Sequence, residues 1–251
     1  MLELKEISKN FGGLMAVNKV TFHVKEGVIT SLIGPNGSGK TTIFNLILGI
    51  FPPSGGSIYL EGEPVVGLRP DQIVELGISR TFQELRVFNS LTVLENVLAG
   101  FQVKFKCGMW GSVLRLPSER RERKLFREKA MELLDLFGMG DKWNLMPSGL
   151  PYAEQRMIDI ARALASGGKV ILLDEPAAGM NPKEKQQLAE TLKLIQKEIC
   201  KTIFLIEHDM RFVMSISEHV GVLNFGNLIA EGIPEDIKAN HHVIQAYLGT
   251  E

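Results

Sequence analysis

The residues best placed to do chemistry form one short run, Gly34-Pro35-Asn36-Gly37-Ser38-Gly39-Lys40-Thr41. It satisfies the spacing G-x-x-x-x-G-K-[ST] at every fixed position, and that spacing serves the binding of a nucleoside triphosphate. Glycines let successive backbone N–H groups converge on phosphate oxygens, and a helix that follows adds the positive end of its dipole. Gly34, Asn36, Gly37, Ser38 and Gly39 would therefore wrap the phosphates, with Thr42 a further contact. Lys40 would reach the β- and γ-phosphates, and the Thr41 hydroxyl would help hold Mg2+. A second candidate is the pair Asp174-Glu175, which ends the apolar run Val170-Ile171-Leu172-Leu173. Strand ends are where α/β proteins open their ligand crevice. Asp174 suits Mg2+ through water, because a hard cation favours oxygen ligands and keeps part of its hydration shell. Glu175 would then polarise the water that attacks the γ-phosphate.

Both sites need particular elements around them. Val28-Ile29-Thr30-Ser31-Leu32-Ile33 reads as a buried strand, and Thr42 to Leu48 as a helix closed by Gly49. Alternation in Val20-Thr21-Phe22-His23-Val24, and a short strand at Ser57 to Gly62, predict a small antiparallel sheet beside the nucleotide core. Lys169 to Leu173 and Thr202 to Ile206 are continuous apolar runs, the pattern of parallel strands covered on both faces. Between them the spacing predicts a helix with Asn181 as N-cap, Pro182 first, Glu184 third, and a stripe of Leu188, Leu192, Ile195 and Ile199. Residues 84 to 166 are rich in helical periods, such as Leu133, Leu134, Leu136 and Phe137, and read as an inserted helical lobe. The mixed charges from Ser118 to Lys129 predict a solvated helix rather than a nucleic-acid patch. Strands return at Val220 to Leu223 and Leu228 to Ala230, joined through Phe225-Gly226-Asn227, before a short terminal helix.

The chain has 251 residues and a net charge of −1, enough length for one core with a smaller lobe and no surplus of positive charge for nucleic acid. No stretch approaches the run of about 20 apolar residues that a membrane span needs. The start, Met1-Leu2-Glu3-Leu4-Lys5-Glu6, lacks the basic and apolar regions of a signal peptide, which predicts a cytosolic location. Cys107 and Cys200 are the two cysteines; they are far apart and are expected to be free thiols.

Further motifs extend the pattern: Gln83 in Arg80-Thr81-Phe82-Gln83, Leu150-Pro151-Tyr152-Ala153-Glu154-Gln155-Arg156, and His208 in Ile206-Glu207-His208-Asp209. In order and spacing they resemble the glutamine loop, signature motif and histidine switch of ATP-binding-cassette (ABC) transporter ATPases, and the resemblance covers nearly the whole chain. It implies an α/β fold: a P-loop NTPase core with a mainly parallel sheet, an antiparallel β subdomain and an inserted α-helical subdomain. It also implies a single domain over 1–251, with 1–83 and 167–251 as core and antiparallel lobe and 84–166 as helical lobe. ATP and Mg2+ are the expected ligands. His208 would hydrogen-bond the γ-phosphate and orient Glu175, and Gln83 would ligate Mg2+ or touch the water. Phe11 falls where the family has an aromatic that stacks on adenine; the alternative is an ordinary core phenylalanine. Val17 would pack against the same base.

In that family the signature residues, here Leu150, Pro151, Tyr152, Ala153 and Glu154, cap the γ-phosphate bound by a second subunit. This sequence departs from the usual Leu-Ser-Gly-Gly-Gln. Pro151 lacks a hydroxyl and an N–H, Ala153 replaces a glycine, and Glu154 brings negative charge towards a negative ligand. Asn181 stands where many relatives carry aspartate. The segments Pro176 to Pro182, Leu150-Pro151-Tyr152, Ile206-Glu207-His208-Asp209-Met210 and Ala246-Tyr247-Leu248-Gly249 together resemble the ATPases of branched-chain amino acid importers; urea or short-amide importers and lipopolysaccharide exporters share much of the pattern. The implied partners are integral-membrane permease subunits, a second cassette (the same chain or a sister ATPase) and, indirectly, a periplasmic or extracellular solute-binding protein, with the subunit at the cytoplasmic face of the membrane. Val87 to Val93 is a candidate docking surface for the permease or, alternatively, internal packing. The other open reading is a nucleotide-gated regulatory module with little turnover.

Overall fold

The computed structural model describes residues 1–81, 83–104, 117–199 and 202–248; Phe82, Cys107, Cys200 and Gly249 lie outside them. Two sheets are present among the described residues. Strands β1 (Leu2–Phe11), β2 (Leu14–Val24), β4 (Gly55–Leu60) and β5 (Glu63–Pro64) form an antiparallel sheet in the order β2-β1-β4-β5. The central sheet takes the order β10-β9-β3-β8-β7-β6, from β3 (Ile29–Ile33), β6 (Ile78–Arg80), β7 (Val170–Asp174), β8 (Thr202–Ile206), β9 (His219–Asn224) and β10 (Asn227–Gly232). Within it β9, β3, β8, β7 and β6 are parallel, and β10 returns antiparallel through the turn at Phe225 and Gly226.

Every residue of β3, β7 and β8 is buried, as continuous apolar runs require. Alternate residues feed two cores. Ile29, Ile33, Ile171, Leu173, Ile203 and Leu205 face one that continues into the helices between β6 and β7. Leu32, Val170, Leu172, Phe204 and Ile206 face the other, shared with helix α1 (Lys40–Ile47) and the inner face of the antiparallel sheet. There Phe204 packs against Phe44 and Phe22 with ring centroids 5.0 and 5.8 Å apart.

Helix α2 (Pro70–Leu76) precedes β6, and α3 (Val93–Gly100), α4 (Pro117–Leu136) and α5 (Tyr152–Ala165) lie between β6 and β7. On α4 the charged residues from Arg120 to Lys129 are exposed, or partly so at Glu122, while Phe126, Ala130, Leu133 and Leu134 are buried. Helix α6 (Pro182–Glu198) begins in the expected capping box: the Asn181 side chain accepts from the N–H groups of Lys183 and Glu184, and Glu184 accepts from Asn181 N–H. Leu188, Leu192 and Ile195 are buried, but Ile199 lies past the last helical residue and is 43% exposed, so the stripe ends one turn earlier than expected. Helices α7 (Met210–Ile216), α8 (Pro234–Ala239) and α9 (His241–Leu248) complete the described chain.

The stretch Val87 to Val93 is packed inward in part. Val93 is fully buried and Val87 packs against the core, whereas Phe88 is half-exposed with the Arg162 guanidinium 5.0 Å above its ring. Buried Asn96 holds this loop, accepting from Phe88 N–H and donating to the carbonyls of Phe88, Leu91 and Thr92.

Candidate active site

The phosphate loop leaves β3 at Gly34 and enters α1 at Lys40. Two glycines are demanded by close approach: a Cβ at Gly34 would lie 2.1 Å from the Leu223 carbonyl oxygen, and one at Gly39, where φ is +106°, would lie 2.4 Å from that of Ala16. The loop is thus clamped between the starts of β2 and the end of β9, and Gly226 N–H donates to the Ser38 carbonyl at 3.0 Å. Gly39 offers α1 no side-chain cap, and the first turn carries no acid. Its leading N–H groups therefore have no side-chain acceptor of their own, the arrangement that favours an anion. Lys40 folds over the loop and donates to the carbonyls of Gly34 (2.7 Å) and Pro35 (3.0 Å). Burial lowers its pKa, while the nearby carboxylates of Glu175 and Asp174 oppose that shift.

The loop floors a cavity of about 720 Å3, lined by Asn36, Gly37, Ser38, Gly39, Lys40, Thr41 and Thr42, by Phe11, Leu14, Met15, Ala16 and Phe225 on one flank, and by Gln83 and Glu175 on another. That volume suits a nucleotide. Phe11 is 41% exposed and braced edge-on by Phe51 at 5.4 Å, so its ring is open to the cavity and not enclosed in the core. Val17 is different: it is fully buried, does not line the cavity, and packs beneath Gly39. The expected contact of Val17 with a base is not available. A bulge around Lys19, where φ is +45°, shifts the alternation of β2 and turns Val17 inward.

Asp174 is buried at the end of β7. Its Oδ2 accepts from Arg80 Nη2 at 2.9 Å, and Arg80 Nη1 donates to Asn45 Oδ1 at 3.0 Å. Burial raises the pKa of Asp174 and the Arg80 guanidinium opposes it. Asp174 Oδ1 is buried with no hydrogen-bond partner among the described residues, a hard oxygen left to coordinate something else. Among the described residues no group of three or more His, Cys, Asp or Glu could hold a metal ion. A cation here would be completed by substrate and water oxygens, which is how Mg2+ binds beside phosphates. The residues fit that ion.

Glu175 has φ +46°, a left-handed backbone that costs a non-glycine residue about 1–3 kcal/mol and persists only where the surroundings enforce it. Its N–H donates to the Ile206 carbonyl at 2.9 Å, extending the β7/β8 ladder. Its Oε2 lies 3.7 Å from Nδ1 of His208, two residues past the end of β8.

Leu150 to Glu154 do not line this cavity. Pro151 is the N-cap position of α5, and Pro151, Ala153 and Glu154 border a separate space of about 290 Å3 with Asn181 and Lys183 at the start of α6. Glu154 is paired with Lys142 at 2.9 Å. The Tyr152 ring lies against Gly179 in the loop after Glu175, and its hydroxyl accepts from Arg156 at 3.0 Å. Arg156, fully buried, also donates to the Gln83 carbonyl at 2.7 Å. Arg80, Lys142 and Arg156 are site residues that sequence reasoning did not single out; Arg80 and Arg156 stand inside the quoted motifs, while nothing local marks Lys142.

A family model described as ABC transporter matches residues 17–178, and one described as branched-chain amino acid ATP-binding cassette transporter matches residues 227–251. The sequence is similar to that of the high-affinity branched-chain amino acid transport ATP-binding protein LivG of Salmonella typhimurium, 42% identical over 249 residues that cover 99% of this chain and 98% of LivG. The fold is similar to the ADP conformation of an ATP-binding cassette of an ABC transporter, with a TM-score of 0.85 and 28% identity over 100% of this chain and 99% of that one. It is also similar to a dimeric cassette in a post-hydrolysis state bound to ADP and Pi, with a TM-score of 0.77 and 28% identity over 93% and 99% of the two chains. The chain therefore belongs to the ABC transporter family, as an ATP-binding subunit that hydrolyses ATP.

Proposed function

We propose that this subunit works at the cytoplasmic face of a membrane, docked on integral-membrane permease subunits, and powers import of branched-chain amino acids delivered by a solute-binding protein. The similarity to LivG along nearly the whole chain supports that substrate class, as does the second family match, which begins at β10 and runs through the terminal helices. Phe88, the exposed apolar residue of the Asn96-pinned loop, is the assigned permease contact.

ATP would lie with its base against Phe11 and its phosphates in the loop from Gly34 to Thr42, where Lys40 exchanges neutral carbonyl acceptors for phosphate oxygens. Thr41, Asp174 and Gln83 would hold Mg2+, which when bound neutralises charge on the β- and γ-phosphate oxygens. Glu175 accepts the proton of the attacking water, and His208 hydrogen-bonds the γ-phosphate and keeps Glu175 aligned. The observation that carries this reading is the meeting of Glu175 and His208, from the ends of two neighbouring strands, at 3.7 Å beside the phosphate cavity. Because Leu150, Pro151, Tyr152, Ala153 and Glu154 do not line their own cavity, their cap serves the nucleotide of a second cassette. Closure of the two cassettes around ATP and their release after hydrolysis move the permeases.

The test is ATP hydrolysis by the assembled transporter in lipid nanodiscs. Leucine, isoleucine or valine with the binding protein should stimulate it, and Glu175→Gln should lower turnover by roughly 100-fold or more with ATP binding retained. Stimulation by an unrelated solute alone would reassign the substrate, and near-normal hydrolysis in Glu175→Gln would remove Glu175 from the role of base.

A further inference from the structure

The residue directly after the apolar strand β8 is Glu207, a carboxylate with no exposed surface. Its two oxygens serve different loops. Oε1 accepts from Ala177 N–H at 2.8 Å, and Oε2 accepts from His208 N–H at 3.0 Å and Asp209 N–H at 3.4 Å. Ala177 belongs to the turn that carries Glu175 in its left-handed conformation, and that turn closes through Ala178 N–H to the Glu175 carbonyl at 3.2 Å. Glu207 Oε2 also lies 3.9 Å from His208 Nδ1, on the imidazole nitrogen that faces Glu175.

A buried carboxylate is costly, and burial raises the pKa of this one against the pull of its backbone N–H donors. A carboxylate is nonetheless the side chain this position needs, because donors approach both of its oxygens. An amide has one acceptor oxygen, so glutamine would set its NH2 against an N–H on one side or the other. The charge is thus spent on joining two backbone segments, one behind Glu175 and one at His208.

We propose that Glu207 is a positioning residue for hydrolysis. It ties the turn bearing Glu175 to the backbone of His208, so that the carboxylate and the imidazole keep one mutual arrangement as nucleotide enters and leaves. The inference rests on the roles of Glu175 and His208 given above.

The test is Glu207→Gln in the assembled transporter, with steady-state ATPase kinetics and ATP affinity by fluorescent-nucleotide titration. We expect kcat to fall roughly tenfold to 100-fold, the scale of a misplaced catalytic group, with KM and the Kd for ATP unchanged within about twofold. In a Glu175→Gln background the same change should alter the residual rate by less than about threefold, because both substitutions disable one unit. Should Glu207→Gln fail to fold, Glu207→Asp, which keeps both acceptors but withdraws them by one carbon, is read by the same criteria. A kcat near the unsubstituted value overturns the proposal. So does a loss of kcat and ATP affinity in parallel, or a loss that multiplies with Glu175→Gln. If Glu175→Gln by itself leaves hydrolysis intact, it is the assignment of Glu175 that fails.

Discussion

Glu154 places a negative charge in the segment we propose to cap a partner's γ-phosphate, and Lys142 is positioned to neutralise it. The two side chains meet at 2.9 Å and are 30% and 25% exposed, while the second oxygen of Glu154 is buried with no hydrogen-bond partner among the described residues. Fully exposed ion pairs contribute about 0.2–1 kcal/mol, and hydrogen bonds to charged groups about 1.5–3 kcal/mol. The pair itself is present in the separate chain and in the dimer. What dimerisation gains from Lys142 is neutralisation of the Glu154 charge facing the partner's phosphate, a screened like-charge repulsion on the order of 1 kcal/mol per cap. A two-cassette sandwich contains the cap twice, so Lys142→Met should weaken ATP-dependent dimerisation by about 2 kcal/mol, or roughly 30-fold. The assay is sedimentation equilibrium of Glu175→Gln in Mg-ATP with and without Lys142→Met. ATP affinity of the separate chain should not change, because Lys142 does not line the nucleotide cavity. Adding Glu154→Gln should restore most of the dimer, because the charge left unpaired is then gone. A dimer constant within about threefold of the parent, or no restoration by Glu154→Gln, would refute the reasoning.

Other outcomes follow from single contacts. Asn181→Ala removes the acceptor for two helix N-terminal N–H groups and should cost about 1 kcal/mol, about 2–4 °C in Tm for a chain of this size; an unchanged melting curve would contradict the capping role. Gly39→Ala must displace the loop, since its Cβ would sit 2.4 Å from the Ala16 carbonyl at φ +106°; nucleotide titration should show ATP affinity lowered by roughly tenfold or more, and unaltered affinity would count against the phosphate-loop assignment. Asp209 is buried enough to raise its pKa, but Lys185 and the N–H groups of Phe212 and Arg211 outweigh that and hold it below its ordinary 3.8. The stabilisation this gives is present above pH 3.8 and fades as pH falls through the lower folded-state pKa. Lys185→Ala should therefore cost about 0.5 kcal/mol at neutral pH, allowing for solvent screening, and denaturant curves of the two proteins should converge on acidification; a gap that grows in acid would contradict it.

What could be read from the sequence was local or periodic. The phosphate loop with its flanking β3 and α1, the runs of β7 and β8, and the Asn181–Glu184 capping box each declare themselves within a few residues. Strand β6 does not: Ile78 to Arg80 is too short to show alternation and exists through its pairing with β7. The inward position of Val17 is not legible either: resemblance alone puts it beside the base, and a bulge between Val17 and Val20 turns it into the core. The supporting pairs Arg80–Asp174, Arg156–Gln83 and Lys142–Glu154 join residues from different elements. Such pairs leave no periodic trace, and Glu154 taken alone looked like a flaw in the cap. The fold places the turn that carries Lys142 beside the first turn of α5, where the two charges pair.

The central claim is that two cassettes close around ATP and that Glu175 ends the closed state by driving hydrolysis. Light scattering on a sizing column of Glu175→Gln, with and without Mg-ATP and in the presence of any sister cassette of the same transporter, tests it most directly. The account predicts a single chain without nucleotide and a stable pair of cassettes with ATP. A chain that binds ATP but stays single under both conditions, with the sister cassette present, would contradict it.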